Sequence, residues 1–149
     1  MNTMNEQIDA HTRAEIEALV VKHAWLQDGK GEAAELAELY TPDGRLYGIG
    51  PELCGASDLI EYAKSKVDTS GNVTRHVCTN LLLERRDERR ITGRLIITLF
   101  RHRGSGVGAS SPCAIADAVD VYVKGQDEKW KIEERRLELI FESAANRRK

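Results

Sequence analysis

A histidine, a cysteine and an asparagine occupy alternate positions in a segment rich in Val, Thr and Leu. Residues 74–85 predict a β-strand, and alternate strand residues point to one face, so His76, Cys78 and Asn80 share a face with Leu82. An unperturbed imidazole titrates at about pH 6.5, so a histidine at position 76 can act as a general base at neutral pH. His76, Cys78 and Asn80 on one face of a strand predict a substrate-binding surface, in which Cys78 and Asn80 contact the substrate. The alternative is a core histidine bonded to a backbone carbonyl.

Two further candidates lie in the first third of the chain. Asp28 ends the first predicted helix, where the helix dipole disfavours a negative charge, so it indicates either loop chemistry or a functional role. Tyr47 lies on a short predicted strand, residues 45–49, on the same face as Arg45. Its hydroxyl either bonds to the backbone in the core or donates to a substrate carbonyl, and we name it as a substrate contact.

The later strands add an arginine and two aspartates. Arg101 lies near the end of the predicted strand 91–102 and is expected at the rim of a pocket. Asp117 and Asp120 lie on the strand 114–123 and point to opposite faces, and one of them is expected to face inward. A buried aspartate must be paired or neutral. We name Asp120 as the candidate contact, although the pattern itself does not choose between the two.

Motifs for metals and cofactors are absent from the sequence. Cys54, Cys78 and Cys113 are widely spaced, and no CxxC, HExxH or GxSxG motif occurs. The glycines at residues 104–108 follow a strand but lack the third glycine and the βαβ context of a dinucleotide loop. We therefore expect neither a metal nor a cofactor.

Length and composition narrow the class of protein. The chain has 149 residues, which fits one domain. It carries 22 basic and 24 acidic residues, for a net charge of -2, and only 5% aromatics, which argues against nucleic-acid partners. No apolar run approaches the roughly 20 residues of a membrane helix, and the first residues are polar. We expect a protein of the cytoplasm without a membrane partner.

Helices are predicted in the first half of the chain and strands in the second. Helical periodicity begins at Ile16 and ends before Gly29, and two shorter helices are predicted at residues 32–40 and 59–67, with a turn at 41–44 between them. Four long strands follow, at residues 74–85, 91–102, 114–123 and 130–141, with a mobile loop expected at 103–113. This order indicates an α+β fold, with three N-terminal helices packed on a curved antiparallel sheet that encloses a pocket. We expect a flexible segment at 1–12, one domain at 13–142 and a basic tail at 143–149.

The order of these elements resembles the SnoaL-like branch of the NTF2-like superfamily. Four motifs carry the resemblance, and they are Asp28 at the end of the first helix, LYTPDG at residues 39–44, TRHVCTN at residues 74–80, and WKI at residues 130–132 followed by two arginines. Together they span about residues 12–142. The resemblance implies a cone-shaped α+β barrel. Because this fold carries many activities, function must be argued from the site.

The catalytic pattern is similar to that of scytalone dehydratases. The resemblance implies that Asp28 orients His76 and that Tyr47 holds the substrate. The sequence departs from the pattern at two places. Gln27 stands where those enzymes have a tyrosine before the aspartate, and Arg101 or His102 stands where they have a second histidine.

Two functions are therefore expected from different classes. The first is a cofactor-free lyase or isomerase that acts on a small apolar carbonyl compound through an Asp28–His76 dyad. The second is a non-catalytic small-molecule-binding protein, or a structural subunit resembling the small subunit of ring-hydroxylating dioxygenases. In both cases the resemblance implies a homodimer or homotrimer.

Overall fold

A computed structural model describes residues 7–67 and 71–147 of the chain. The described residues form four helices and six strands. The helices are α1 (Ala10–Gln27), α2 (Ala33–Glu38), α3 (Gly55–Val67) and α4 (Ala144–Arg147), and the strands are β1 (Tyr40–Tyr47), β2 (Leu53–Cys54), β3 (Asn72–Asp87), β4 (Arg90–Arg103), β5 (Ala114–Lys124) and β6 (Trp130–Glu142). None of the described helices is long and apolar enough to cross a membrane.

The first helix is longer than its apolar periodicity predicts. It begins at Ala10 because the carboxylate of Asp9 accepts the backbone amide of Thr12 over 2.8 Å and so caps the first turn. Residues 10–12, expected in a flexible segment, are therefore helical, while residues 1–6 lie outside the described part. At the other terminus α4 occupies residues 144–147 of the expected tail, and residues 148–149 are not described.

The strands form one curved, unclosed sheet in the order β2-β1-β6-β5-β4-β3. Strands β3 to β6 are joined as an antiparallel meander, as predicted. Strand β1, however, pairs with β6 in the parallel direction, which corrects the expectation of a wholly antiparallel sheet. Two parallel strands need a long connection between them, and here β2, α3 and strands β3 to β5 form that connection.

The segment at residues 41–44 is part of β1 rather than a separate turn. Tyr40 pairs with Ile132 and Arg45 pairs with Glu134, so five steps along β1 match only two along β6. The surplus residues loop out as an irregularity in the strand. This bulge determines which side chains of the following residues point inward.

Helices α1, α2 and α3 pack on the inner face of the sheet and share one hydrophobic core with it. Its fully buried members include Ile16 of α1, Leu36 of α2, Leu59 of α3 and Ile132 of β6. Trp130 of β6 is buried in this core, whereas Trp25 of α1 is 49% exposed. This arrangement confirms the predicted α+β cone with helices over a curved sheet.

Residues 104–113 form an irregular, mostly exposed connection between β4 and β5. Its two ends flank the interior of the cone, since Arg101 before it and Ala114 after it both line the cavity described below. This agrees with the expected place near a pocket mouth. The mobility of the segment stays a prediction.

Candidate active site

A cavity of about 810 Å³ lies between α3, the C-terminal end of α1 and the inner face of the sheet. Its apolar lining includes Leu46, Leu53, Ile97, Leu99, Ala116, Leu137 and Leu139. Its polar lining includes Gln27, Asp28, Tyr62, Thr74, His76, Arg101, Arg135 and Asn146. Apolar walls with a few convergent polar groups are the usual form of a small-molecule site, so this cavity is the candidate active site.

Asp28 and His76 meet in the wall of the cavity. The ring Nδ1 of His76 lies 2.7 Å from Oδ1 of Asp28. The backbone amide of His76 donates to Oδ2 of the same carboxylate over 3.0 Å, and the hydroxyl of Thr74 donates to Oδ1 over 2.9 Å. Three donors therefore hold the carboxylate in one orientation.

Local backbone structure explains why the two residues meet. The amide of Asp28 donates to the carbonyl of Ala24 over 3.1 Å, and Gly29, with a φ of 80°, turns the chain out of the helix. Strand β3 lies at the edge of the described sheet, so alternate amides of β3 have no neighbouring strand to bond. The amide of His76 is one of these, and it donates to Asp28 instead.

The protonation states in this pair follow from its hydrogen bonds. Burial alone raises the pKa of the Asp28 carboxyl, but the bonds from the His76 ring, the His76 amide and Thr74 outweigh burial, and the net pKa is lowered. Asp28 is therefore ionised at neutral pH and can only accept. In the neutral ring of His76 the proton then sits on Nδ1, which leaves the lone pair on Nε2.

Nε2 of His76 is the atom available for chemistry. The side chain is 14% exposed and lines the cavity, and in the described part of the chain Nε2 has no hydrogen-bond partner. An imidazole with its tautomer set by a carboxylate and its other nitrogen open to a cavity has the geometry of a general base.

Tyr47 lies on the outer face of the sheet and does not reach the cavity. Its hydroxyl donates to Glu134, and the guanidinium of Arg45 lies 4.6 Å from the centre of its ring. Its neighbour Leu46 lines the cavity instead. The prediction that Tyr47 holds the substrate is therefore wrong. The bulge earlier in β1 sets the alternation so that Leu46 points inward and Tyr47 outward.

The predicted contacts of Cys78 and Asn80 are also corrected. Cys78 is half-buried and packs against the hydrophobic core, outside the cavity lining. Asn80 is exposed, with a φ of 59°, at a register shift between Thr79 and Leu82. The extra residue is a β-bulge, which ends the simple alternation of faces along β3. Leu82, expected beside His76, is accordingly 59% exposed.

Arg101 reaches the cavity, and His102 does not. The guanidinium of Arg101 donates to Oδ1 of Asn146 over 3.0 Å, which ties α4 to the rim of the cavity. The ring of His102 lies instead against the following loop, 3.3 Å from the carbonyl oxygen of Ser105. Contact between Arg101 and a substrate stays a prediction.

Asp120, rather than Asp117, points inward, and it is fully buried beneath the cavity. Both of its oxygens accept from Arg135 of the neighbouring strand, at 2.8 Å each, and the hydroxyl of Tyr122 donates to Oδ2 over 2.6 Å. Burial lowers the pKa of the Arg135 guanidinium, but the charge and hydrogen bonds of Asp120 outweigh burial, and the net pKa is raised. Arg135 lines the cavity and Asp120 does not, so the predicted substrate contact of Asp120 is corrected.

The structure contains a second polar cluster that the sequence analysis did not predict. His23, buried in α1, bonds to Gln27 and to the hydroxyl of Tyr40, and Gln27 bonds to Tyr62 on α3. The signal in the sequence was a histidine in the apolar stripe of the first helix, with a glutamine four residues later on the same face. A polar pair on a buried helical face needs partners from other elements, and Tyr40 and Tyr62 supply them.

We expect His23 to make the fold less stable as the pH falls below 6.5. Burial lowers the pKa of His23 well below its ordinary value of 6.5. Above pH 6.5 both states of the chain hold His23 neutral, while below it the unfolded chain binds a proton that the folded chain does not. The free energy of unfolding therefore falls with falling pH, by about 1.4 kcal/mol per pH unit.

Urea unfolding at several pH values measures this dependence. His23→Gln, which cannot titrate, is expected to be less stable than the wild type but nearly independent of pH over the same range. His11→Gln serves as the control, because the side chain of His11 is 86% exposed. An equal slope in the wild type and in His23→Gln would contradict the prediction.

Comparison with known proteins is consistent with this architecture. A sequence-family model described as a SnoaL-like domain matches residues 9–136. No curated protein sequence matches the chain.

Solved structures share the fold at low sequence identity. A candidate scytalone dehydratase from Novosphingobium aromaticivorans is similar with a TM-score of 0.70 at 18% identity, over 88% of this chain and 85% of that chain. A hexachlorocyclohexane dehydrochlorinase is similar with a TM-score of 0.74 at 19% identity, over 89% and 88%. A protein of unknown function from Mycobacterium tuberculosis is similar with a TM-score of 0.70 at 26% identity, over 86% and 71%.

Proposed function

Because this chain belongs to the SnoaL-like domain family, we propose that it is a lyase or isomerase that needs no cofactor. Its substrate is a small, mostly apolar carbonyl compound that fits the apolar walls of the cavity. The single observation that carries the proposal is the Asp28–His76 hydrogen bond in the cavity wall, with Nε2 of His76 facing the cavity.

The reaction begins with removal of a proton from the carbon next to the carbonyl group. Nε2 of His76 takes the proton, the electrons of the C–H bond form a carbon–carbon double bond, and the carbonyl electrons move to the oxygen. Asp28 stabilises the imidazolium that results, because its carboxylate is already ionised and bonded to Nδ1. General-base catalysis of this kind supplies about 10²–10⁴-fold in rate.

The enolate then leads to either of two products. In an elimination its electrons return and expel a group from the next carbon, which the imidazolium can protonate as it leaves. In an isomerisation the imidazolium returns the proton to a different carbon. The names of two proteins of similar fold denote loss of water and loss of hydrogen chloride, which supports elimination as the kind of reaction.

Proton exchange in D₂O tests the proposal and does not require the natural substrate. A panel of small ketones and β-hydroxy ketones is incubated with the protein, and NMR follows the loss of the signal from protons next to the carbonyl. We expect catalysed exchange for at least one apolar member, unchanged after exhaustive dialysis against a chelator.

The non-catalytic alternative gives a different result in the same experiment. Saturable binding of several panel members without exchange or product would favour a binding protein. Exchange that persists at the wild-type rate in His76→Gln would contradict the assigned base, since glutamine keeps the polarity but cannot accept a proton at neutral pH.

A further inference from the structure

We infer that Tyr62 donates a hydrogen bond to the carbonyl oxygen of the substrate as that oxygen becomes negative. The inference rests on the proposed function, and it assigns the electrophilic partner that the Asp28–His76 pair lacks. The hydrogen-bond donor to the substrate is thus a tyrosine of α3, whereas the sequence predicts Tyr47 of the short strand for this role.

A buried chain of three hydrogen bonds leads to Tyr62. The hydroxyl of Tyr40 lies 2.7 Å from Nε2 of His23, and Nδ1 of His23 lies 3.0 Å from Oε1 of Gln27. The amide Nε2 of Gln27 donates to the hydroxyl oxygen of Tyr62 over 3.1 Å. His23, Tyr40 and Gln27 are at most 7% exposed, so their bonds are largely shielded from bulk water.

The direction of every bond in this chain is determined by its members. His23 is neutral because burial lowers its pKa, and a neutral imidazole has one donor and one acceptor. Oε1 of Gln27 can only accept, so Nδ1 of His23 donates and Nε2 accepts from Tyr40. The amide of Gln27 therefore presents its N–H to Tyr62, whose oxygen accepts.

Tyr62 is left with a hydroxyl proton to donate. In the described part of the chain this proton has no acceptor, and Tyr62 lines the same cavity as Asp28 and His76. Burial first, and the charge of Asp28 to a lesser extent, raise the pKa of the Tyr62 hydroxyl, so it stays protonated at neutral pH. The ammonium of Lys66 lies over the Tyr62 ring, 4.9 Å from its centre, within the range of a cation–π contact.

The oxygen of an enolate is the group that this donor suits. When His76 removes the proton, negative charge gathers on the carbonyl oxygen, and a donor already oriented before the reaction stabilises that charge without reorganisation. Tyr62 keeps its own proton throughout, so no further acid or base is needed. Gln27 and His23 act through Tyr62 as positioning residues.

Binding of 4-nitrophenol tests the inference separately from turnover. Its phenolate resembles an enolate, and its absorbance reports the ionised fraction of the bound ligand. For Tyr62→Phe we expect about 10-fold weaker binding or more, together with a smaller ionised fraction at the same pH. Gln27→Met, which leaves the hydroxyl in place but unoriented, is expected to lower the ionised fraction by less. If a substrate is known, Tyr62→Phe should lower kcat by about 10²-fold.

The matched control is Tyr47→Phe, which removes a tyrosine hydroxyl from the outer face of the sheet. We expect its affinity and spectrum to equal those of the wild type. Unchanged binding in Tyr62→Phe, an equal loss in Tyr47→Phe, or no saturable binding by the wild type would each overturn the inference. If Tyr62→Phe weakens binding while no carbonyl compound exchanges protons, the hydrogen bond holds and the proposed reaction fails.

Discussion

His76→Ala is expected to abolish proton exchange while the fold survives. The ring of His76 lies in the wall of a cavity rather than in the packed core, so its removal leaves the hydrophobic core in place. The loss of the base should lower the exchange rate by about 10²–10⁴-fold. NMR exchange rates and urea unfolding curves of the same sample measure the two effects. Proton exchange at the wild-type rate in His76→Ala would contradict the assignment of His76 as the general base.

Asp28→Asn tests the other member of the pair, and the surrounding hydrogen bonds predict the orientation of the substituted side-chain amide. The backbone amide of His76 requires an acceptor at the position of Oδ2, so the oxygen of the substituted side chain takes that place. Its NH₂ group then faces Nδ1 of His76, where Oδ1 of the carboxylate was. Nδ1 must become the acceptor, and the ring proton moves to Nε2, which can no longer act as a base.

The expected loss is therefore large although the shape is conserved. An imidazole held in the wrong tautomer costs about 10⁴-fold in kcat in a well-studied histidine–aspartate pair. Asp43→Asn, at an exposed position of β1, is the control and should leave the rate unchanged. A loss below about 10-fold in Asp28→Asn would show that the carboxylate does not set the tautomer.

Asp120→Ala is expected to destabilise the fold by about 3–5 kcal/mol, because it leaves a buried guanidinium without its counterion. Asp120 is 0% exposed and Arg135 is 1% exposed, so the guanidinium loses its charged partner at a site with little contact with bulk water. The hydroxyl of Tyr122 also loses its acceptor. Urea unfolding at neutral pH measures the free energy of unfolding.

Asp117→Ala is the matched control for this change. It lies on the same strand with its side chain on the opposite, partly exposed face, and its loss should alter stability by no more than about 0.5 kcal/mol. Replacing both members, as in Asp120→Leu with Arg135→Met, should recover much of the stability, since apolar pairs of similar volume often replace buried ion pairs. Equal losses in Asp117→Ala and Asp120→Ala would contradict the burial argument.

The dyad could be predicted from sequence because it depends on two local signals and one resemblance. Asp28 ends a helix with clear periodicity, and His76 opens a strand whose alternation holds as far as the bulge near Asn80. Tyr47 and Asn80 were assigned to the wrong place for the same physical reason. Each lies at or beyond an irregularity with an odd number of surplus residues, three in β1 and one in β3, and an odd surplus moves the following side chains to the other face.

The residues that were missed depend on contacts between distant segments. Tyr62 looks like a packing residue on α3, and only Gln27 of α1, 35 residues earlier, gives its hydroxyl a direction. The choice between Asp117 and Asp120 follows from pairing of Asp120 with Arg135 on the neighbouring strand. Alternation within one strand carries no information on that partner, so both aspartates fitted the sequence equally well.

The parallel pairing of β1 with β6 has a consequence for how the protein is made. During synthesis on the ribosome, β1 emerges long before β6. Pairing between consecutive strands of the meander requires closure of only short loops, whereas pairing of β1 with β6 requires closure of a long loop and is therefore slower. Until β6 arrives, β1 has only the two-residue strand β2 beside it, and the edge of β1 that pairs with β6 in the finished sheet has no partner. Nascent chains that stall before β6 should therefore expose apolar side chains of β1 to chaperones and proteases, and the cavity, which β6 lines with Arg135 and Leu137, is complete only after β6 has been added.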